Sequence, residues 1–112
     1  MTPEKKLQND ILREFATRPD MRLWRSNTGI SKFGDRFVSF GIKGQADMTG
    51  IVADGRRLEI EAKAASKQTP EQAAFQKTIV RFGGIYILAR SIADVYAGLA
   101  ANGVALHDAH RT

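Results

Sequence analysis

The chain of 112 residues contains no cysteine. Disulfide staples, thiolate metal centres and a cysteine nucleophile are therefore excluded. No apolar run approaches the roughly 20 residues needed to cross a bilayer. The start, Met1-Thr2-Pro3-Glu4-Lys5-Lys6, leads into an amphipathic segment and lacks a signal-peptide core. These absences predict a soluble cytoplasmic protein with no secretion signal and no membrane partner. Acid is the scarcer charge. Twelve Asp and Glu stand against 17 Lys and Arg, a net charge of +5 with a pI near 9.9. That excess favours a polyanionic partner, nucleic acid first. An apolar share of 43% supports a real core. The length fits one domain, residues 1–112, with 104–112 read as a tail.

Local signals order the elements. Thr2-Pro3-Glu4 reads as N-cap, first-turn proline and first-turn acid. Leu7, Ile11, Leu12 and Phe15 follow at helical spacing, and Glu4 and Gln8 share their stripe. Strands are predicted over 21–26, 36–40, 47–53 and 57–63, with turns at 27–29, 33–35 and Asp54-Gly55. Thr69-Pro70-Glu71-Gln72 opens a second helix with a capping box, and Gly83-Gly84 stops it. Ile85 to Ala89 is a continuous apolar run suited to a buried strand. Ser91 opens a last helix with Val95 and Leu99 inward. The expected fold is α/β: a small sandwich with a mixed central sheet flanked by helices.

The chemistry concentrates in Glu59-Ile60-Glu61-Ala62-Lys63. Charges are depleted from half-buried strands, yet this one carries three. Asp47 lies fourteen residues before Glu61, after a loop containing Gly41 and Gly44. An Asp followed by a strand bearing Glu-x-Lys suits metal-dependent phosphodiester hydrolysis. Asp47 and Glu61 would hold a hard cation such as Mg²⁺, and the Ala62 backbone carbonyl would add a third oxygen. Lys63 would orient the attacking water or stabilise the phosphorane anion. Parity sets a structural condition. A two-residue Asp54-Gly55 turn would pair Asp47 with Ala62, on the wrong face. A three-residue connection over 54–56 would set Thr49 opposite Glu61 and Asp47 opposite Lys63. An odd-length or bulged hairpin is therefore predicted.

Together these residues resemble the VRR-NUC family (virus-type replication-repair nucleases) of the PD-(D/E)xK superfamily. The resemblance runs through Glu4-x-x-x-Gln8, Trp24-Arg25-x-Asn27-Thr28-Gly29, Phe40-Gly41-x-x-Gly44-x-x-Asp47, Ile60-Glu61-x-Lys63, Thr69-Pro70-Glu71-Gln72-x-x-Phe75 and Gly83-Gly84. It implies a small restriction-endonuclease-like fold, dependence on Mg²⁺ or Mn²⁺, and cutting of branched, flapped or Holliday-junction-like DNA by a homodimer. It also implies a bacterial or virus-infected host cell as the setting. Carried over, Glu4, Asp47, Glu61 and Lys63 match the catalytic positions, Glu4 reaching the metal through water. Gln72 matches the helix glutamine near the site. Ala46 stands where the superfamily often has proline, and Glu59 is an acid the pattern does not require.

Each residue also has a plainer reading. Asp47 could cap a turn, Glu61 and Lys63 could form ion pairs on a solvated face, and Glu4 could serve the helix dipole. Arg25, Asn27, Lys32, Arg36, Lys43 and Lys67 surround the motif and are candidate phosphate contacts, or ordinary solubilising charges. Trp24 is assigned to the core in preference to a base-stacking role, and His107 and His110 to a flexible tail. The alternative for the whole chain is a non-catalytic basic DNA-binding module with a nuclease-like fold.

Overall fold

The computed structural model describes residues 1–26, 29–40 and 42–107; for residues 29–33 and 37–40 it describes the backbone alone. Asn27, the Lys32 side chain and His110 thus lie outside the described residues. The elements run α1 (Pro3–Phe15), β1 (Met21–Arg25), β2 (Gly29–Phe33), β3 (Arg36–Phe40), β4 (Met48–Val52), β5 (Arg57–Ala62), α2 (Pro70–Arg81), β6 (Ile85–Ala89) and α3 (Ile92–Ala101). Four strands form the main sheet in the order β1-β4-β5-β6. β1, β4 and β5 are antiparallel neighbours, and β6 lies parallel to β5. The α2 crossover makes the parallel pair possible, since parallel strands cannot be joined by a tight turn. The expected α/β sandwich with a mixed sheet is present. β2 and β3 form a separate antiparallel hairpin turning at Gly34 and Asp35. Sequence reading found its turn and second strand and assigned no element to residues 30–32, which belong to its first strand.

The helix starts form as their residues dictate. Thr2 Oγ1 accepts the Lys5 N–H at 3.1 Å. In α2 the capping box closes both ways: Thr69 Oγ1 accepts the Gln72 N–H at 3.1 Å, and Gln72 Oε1 accepts the Thr69 N–H at 2.9 Å. Ser91 caps α3 through the Asp94 N–H at 3.2 Å.

The sheet carries a core on each face. Under α1 and α3 lie Ile11, Phe15, Leu23, Met48, Leu58, Ile60, Ile87, Val95 and Leu99 among others. Under α2 lies a smaller group of Ala46, Phe75, Ile79 and Tyr86, with Leu88 partly buried against it. On β5, Leu58, Ile60 and Ala62 face the larger core. Alternation therefore turns Glu59, Glu61 and Lys63 toward α2.

The chain end is better anchored than a tail. Val104 and Leu106 pack against the larger core. Arg18 and Asp20, both buried, pair at 3.0 Å and grip the His107 backbone. Arg18 donates to its carbonyl at 2.7 Å, and its N–H donates to Asp20 at 2.7 Å. The flexible-tail reading is thus corrected for residues 104–107. Leu106 supplies the apolar contact and the buried ion pair supplies the clamp.

Candidate active site

Asp47 is placed by the β4–β5 hairpin. The strands pair Thr49 with Glu59 and Ile51 with Arg57. The ladder closes through the Val52 N–H donating to the Arg56 carbonyl at 3.1 Å, and the Gly55 N–H returns to Val52 at 2.9 Å. The connection is three residues, 53–55, so the odd length is as predicted. The register differs by two positions, because the loop lies one residue earlier than 54–56. Continued past Met48–Ile60, it sets Asp47 opposite Glu61 itself.

The two carboxylates meet at the end of β5. The Ala62 N–H donates to Asp47 Oδ2 at 2.9 Å. Glu61 is 3% exposed. Its Oε2 accepts the Gln72 side-chain amide at 3.1 Å and stands 3.9 Å from Lys63 Nζ. Its Oε1 is buried with no hydrogen-bond partner. Burial, then the charge and hydrogen bond of Asp47, push the Glu61 carboxyl from the ordinary 4.5 up to about 8, against the opposing pull of Lys63. Two acids thus share a desolvated corner with one cation beside them and one oxygen unsatisfied.

Gln72 holds both roles foreseen for it. Its oxygen closes the capping box and its NH₂ reaches Glu61. The helix start is pinned to the loop before Asp47 by Gly44. That residue has φ +81°, and a Cβ there would stand 2.2 Å from the Glu71 carbonyl oxygen. Only glycine allows this approach.

Glu59, the acid the resemblance did not require, is wholly buried. The Thr49 hydroxyl and Arg57 Nε donate to its Oε2, the latter at 2.9 Å, and its Oε1 has no partner. Buried Glu59 is thus held by an ion pair with half-exposed Arg57. Arg90, which sequence reading missed, donates to the Lys63 and Ser66 carbonyls at 3.2 Å each. It secures the backbone just after the site. Only the parallel β5–β6 pairing, Ala62 beside Ala89, reveals that role.

Other expected members lie elsewhere. Glu4 accepts the Ser66 hydroxyl at 2.8 Å. Among the described residues, no three or more His, Cys, Asp or Glu side chains form a metal-holding group, so any part Glu4 takes is not as a direct third carboxylate. Arg25 turns toward α1, donating to Gln8 at 2.6 Å and to Asn9; it is committed there and not to the site. Lys43 and Lys67 are exposed on the two loops that frame the site, 42–45 and 63–69, and Arg36 is exposed on the β2–β3 hairpin. Trp24 is not core: it is 53% exposed.

The donors fit a hard divalent cation. Asp47, Glu61 and the Ala62 carbonyl offer oxygen alone, suited to Mg²⁺ or Mn²⁺ and unsuited to softer metals. Ala62 points its N–H toward Asp47, and a strand residue's carbonyl leaves by the same flank. The orphaned Glu61 oxygen and the raised carboxyl are both relieved by a cation. Two carboxylates suffice for Mg²⁺, which keeps several waters and takes substrate phosphate as well. No family model matches this chain, and no curated protein matches it.

Proposed function

We propose that the chain is a divalent-metal-dependent endonuclease that hydrolyses phosphodiester bonds in structured DNA. The observation that carries the reading is the meeting of Asp47 and Glu61 at Ala62, with a buried Glu61 oxygen lacking any partner. Without an ion, the pair is tolerated because Glu61 retains a proton up to about pH 8.

In this reading Asp47, Glu61 and the Ala62 carbonyl hold Mg²⁺ or Mn²⁺. Such an ion would supply Lewis acidity for activating a water. Gln72 fixes the Glu61 carboxylate through its amide. Lys63, 7% exposed, presents its ammonium beside the acids, where it stabilises charge developing on phosphate. The net +5 charge and exposed Lys43 and Lys67 draw in the backbone. The likeness to VRR-NUC nucleases supports branched or flapped DNA as substrate and a homodimer as the working form. A four-way junction offers two symmetric phosphates, which a two-fold dimer would match.

The test is cleavage of a flap and a four-way junction with Mg²⁺ or Mn²⁺, comparing wild type with Glu61→Gln and Lys63→Ala. Wild type is expected to cut and both variants to fail. A wild type that binds DNA but never cuts would instead establish the non-catalytic DNA-binding module.

A further inference from the structure

We propose that Trp24 is a stacking platform for an unpaired nucleobase, next to the phosphate held at Asp47 and Glu61. The inference rests on the nuclease reading above and adds to it the feature of DNA that is selected. β1 is an edge strand of the main sheet. Met21 and Leu23 enter the core, while Arg22 and Trp24 are exposed, so alternation turns Trp24 to the sheet face that carries α2 and the acids.

Register fixes its neighbours. Trp24 lies opposite Thr49, and Thr49 opposite Glu59. Two positions along, the Ser26 N–H donates to the Asp47 carbonyl at 2.9 Å. Asp47 is thus the diagonal neighbour of Trp24 across the β1–β4 pair, a separation of about 7–8 Å. One nucleotide spans such a gap between its base and its own phosphate.

A single exposed apolar residue needs no explanation by itself. Here the position supplies it. The indole is half exposed beside the corner proposed to hold a phosphodiester, in a chain of net charge +5. A base inside a duplex is already stacked on both faces, whereas an unpaired base has a free face to offer. Stacking on an aromatic ring tolerates any base, so Trp24 would select an opened strand without reading sequence. Flaps then engage it, and blunt duplex does not.

Trp24 is the single tryptophan of the chain, so its emission reports this contact alone. The experiment titrates the full chain, with Ca²⁺ replacing Mg²⁺ to hold the DNA uncut. The probes are a fluorescein-labelled flap, the same flap with abasic sites in its unpaired segment, and a blunt duplex. Anisotropy reads binding and indole emission reads stacking. The flap is expected to quench emission, and the abasic flap and duplex to bind without quenching. Trp24→Ala is expected to weaken flap binding about 5- to 150-fold and leave duplex binding unchanged, with Trp24→Phe in between. If the flap binds without quenching and as tightly to Trp24→Ala, the inference falls while the nuclease reading stands. If none of the DNAs binds, both fall. If emission shifts with protein concentration alone, and light scattering shows a dimer that Trp24→Ala abolishes, the indole serves a contact between copies and the inference is overturned.

Discussion

Removing the charge of Glu61 should stabilise the metal-free protein at alkaline pH, although it removes a candidate catalytic group. The folded state raises the Glu61 carboxyl from 4.5 to about 8. Between those values the folded chain keeps a proton that the unfolded chain releases. Stability must therefore fall as pH rises through this window. At 1.36 kcal/mol per pKa unit the ceiling is about 5 kcal/mol, and relaxation around the acid pair lowers it to several. In a domain of this size each kcal/mol moves the melting midpoint by about 4 °C. The carboxyls held low lie outside the window. Burial alone would raise Asp20, but Arg18 and the His107 N–H outweigh it. Asp10 and Asp54 are held down by Lys6 and Arg56. Those three lose their contribution only in acid below about pH 4. Urea unfolding in EDTA at about pH 5 and about pH 8 is the assay. Wild type is expected to lose several kcal/mol between them, and Glu61→Gln much less. Excess Mg²⁺ should restore wild type at the higher pH and leave Glu61→Gln nearly unmoved. A metal-free wild type whose stability is flat or rising across the window, with Glu61→Gln tracking it, would refute the reasoning.

Other outcomes follow from the same geometry. Asp47→Asn and Lys63→Ala are each expected to lower the cleavage rate at least about 100-fold in a single-turnover assay, with circular dichroism unchanged. Gln72→Ala should cost about 10- to 100-fold in Mg²⁺ affinity or activity, because it acts through Glu61; a metal titration of cleavage measures it. Gly44→Ala must relieve a contact with the Glu71 carbonyl and a positive φ, and is expected to lose about 1–3 kcal/mol in urea unfolding. Asp20→Ala leaves Arg18 buried beside the His107 segment and should cost about 3–5 kcal/mol by the same measurement.

Much of this arrangement is written in local signals. Thr2-Pro3 and Thr69-Pro70-Glu71-Gln72 fix two helix starts, and the apolar run from Ile85 to Ala89 gives the strand beside β5. Parity grouped Glu59, Glu61 and Lys63 and required an odd hairpin. Parity does not reveal which face of a strand is covered, and there the reading failed for Trp24. α2 shields β5 and β6 and stops short of β1, so the outward residues of the edge strand stay in solvent. The loop shift to 53–55 escaped notice because Asp54-Gly55 marks a turn without fixing its ends; in the fold the Arg56 carbonyl closes the ladder to Val52. The burial of Glu59 is a property of packing that no spacing announces. Arg25 looked like a phosphate contact from its charge alone, and its engagement with Gln8 and Asn9 depends on the docking of α1. The parity of β5 and the Thr69-Pro70-Glu71-Gln72 helix start were legible beforehand, whereas the hold of Arg90 on the backbone after Lys63 was not.

The Gln72 amide joins two events that are usually independent. Its oxygen closes the first turn of α2 and its nitrogen restrains Glu61. Whatever loads or empties the acid corner will tug on that turn. The Thr69 amide proton, remote from any chemistry, should exchange with solvent more slowly when an ion is bound, making the helix entrance a built-in gauge of occupancy.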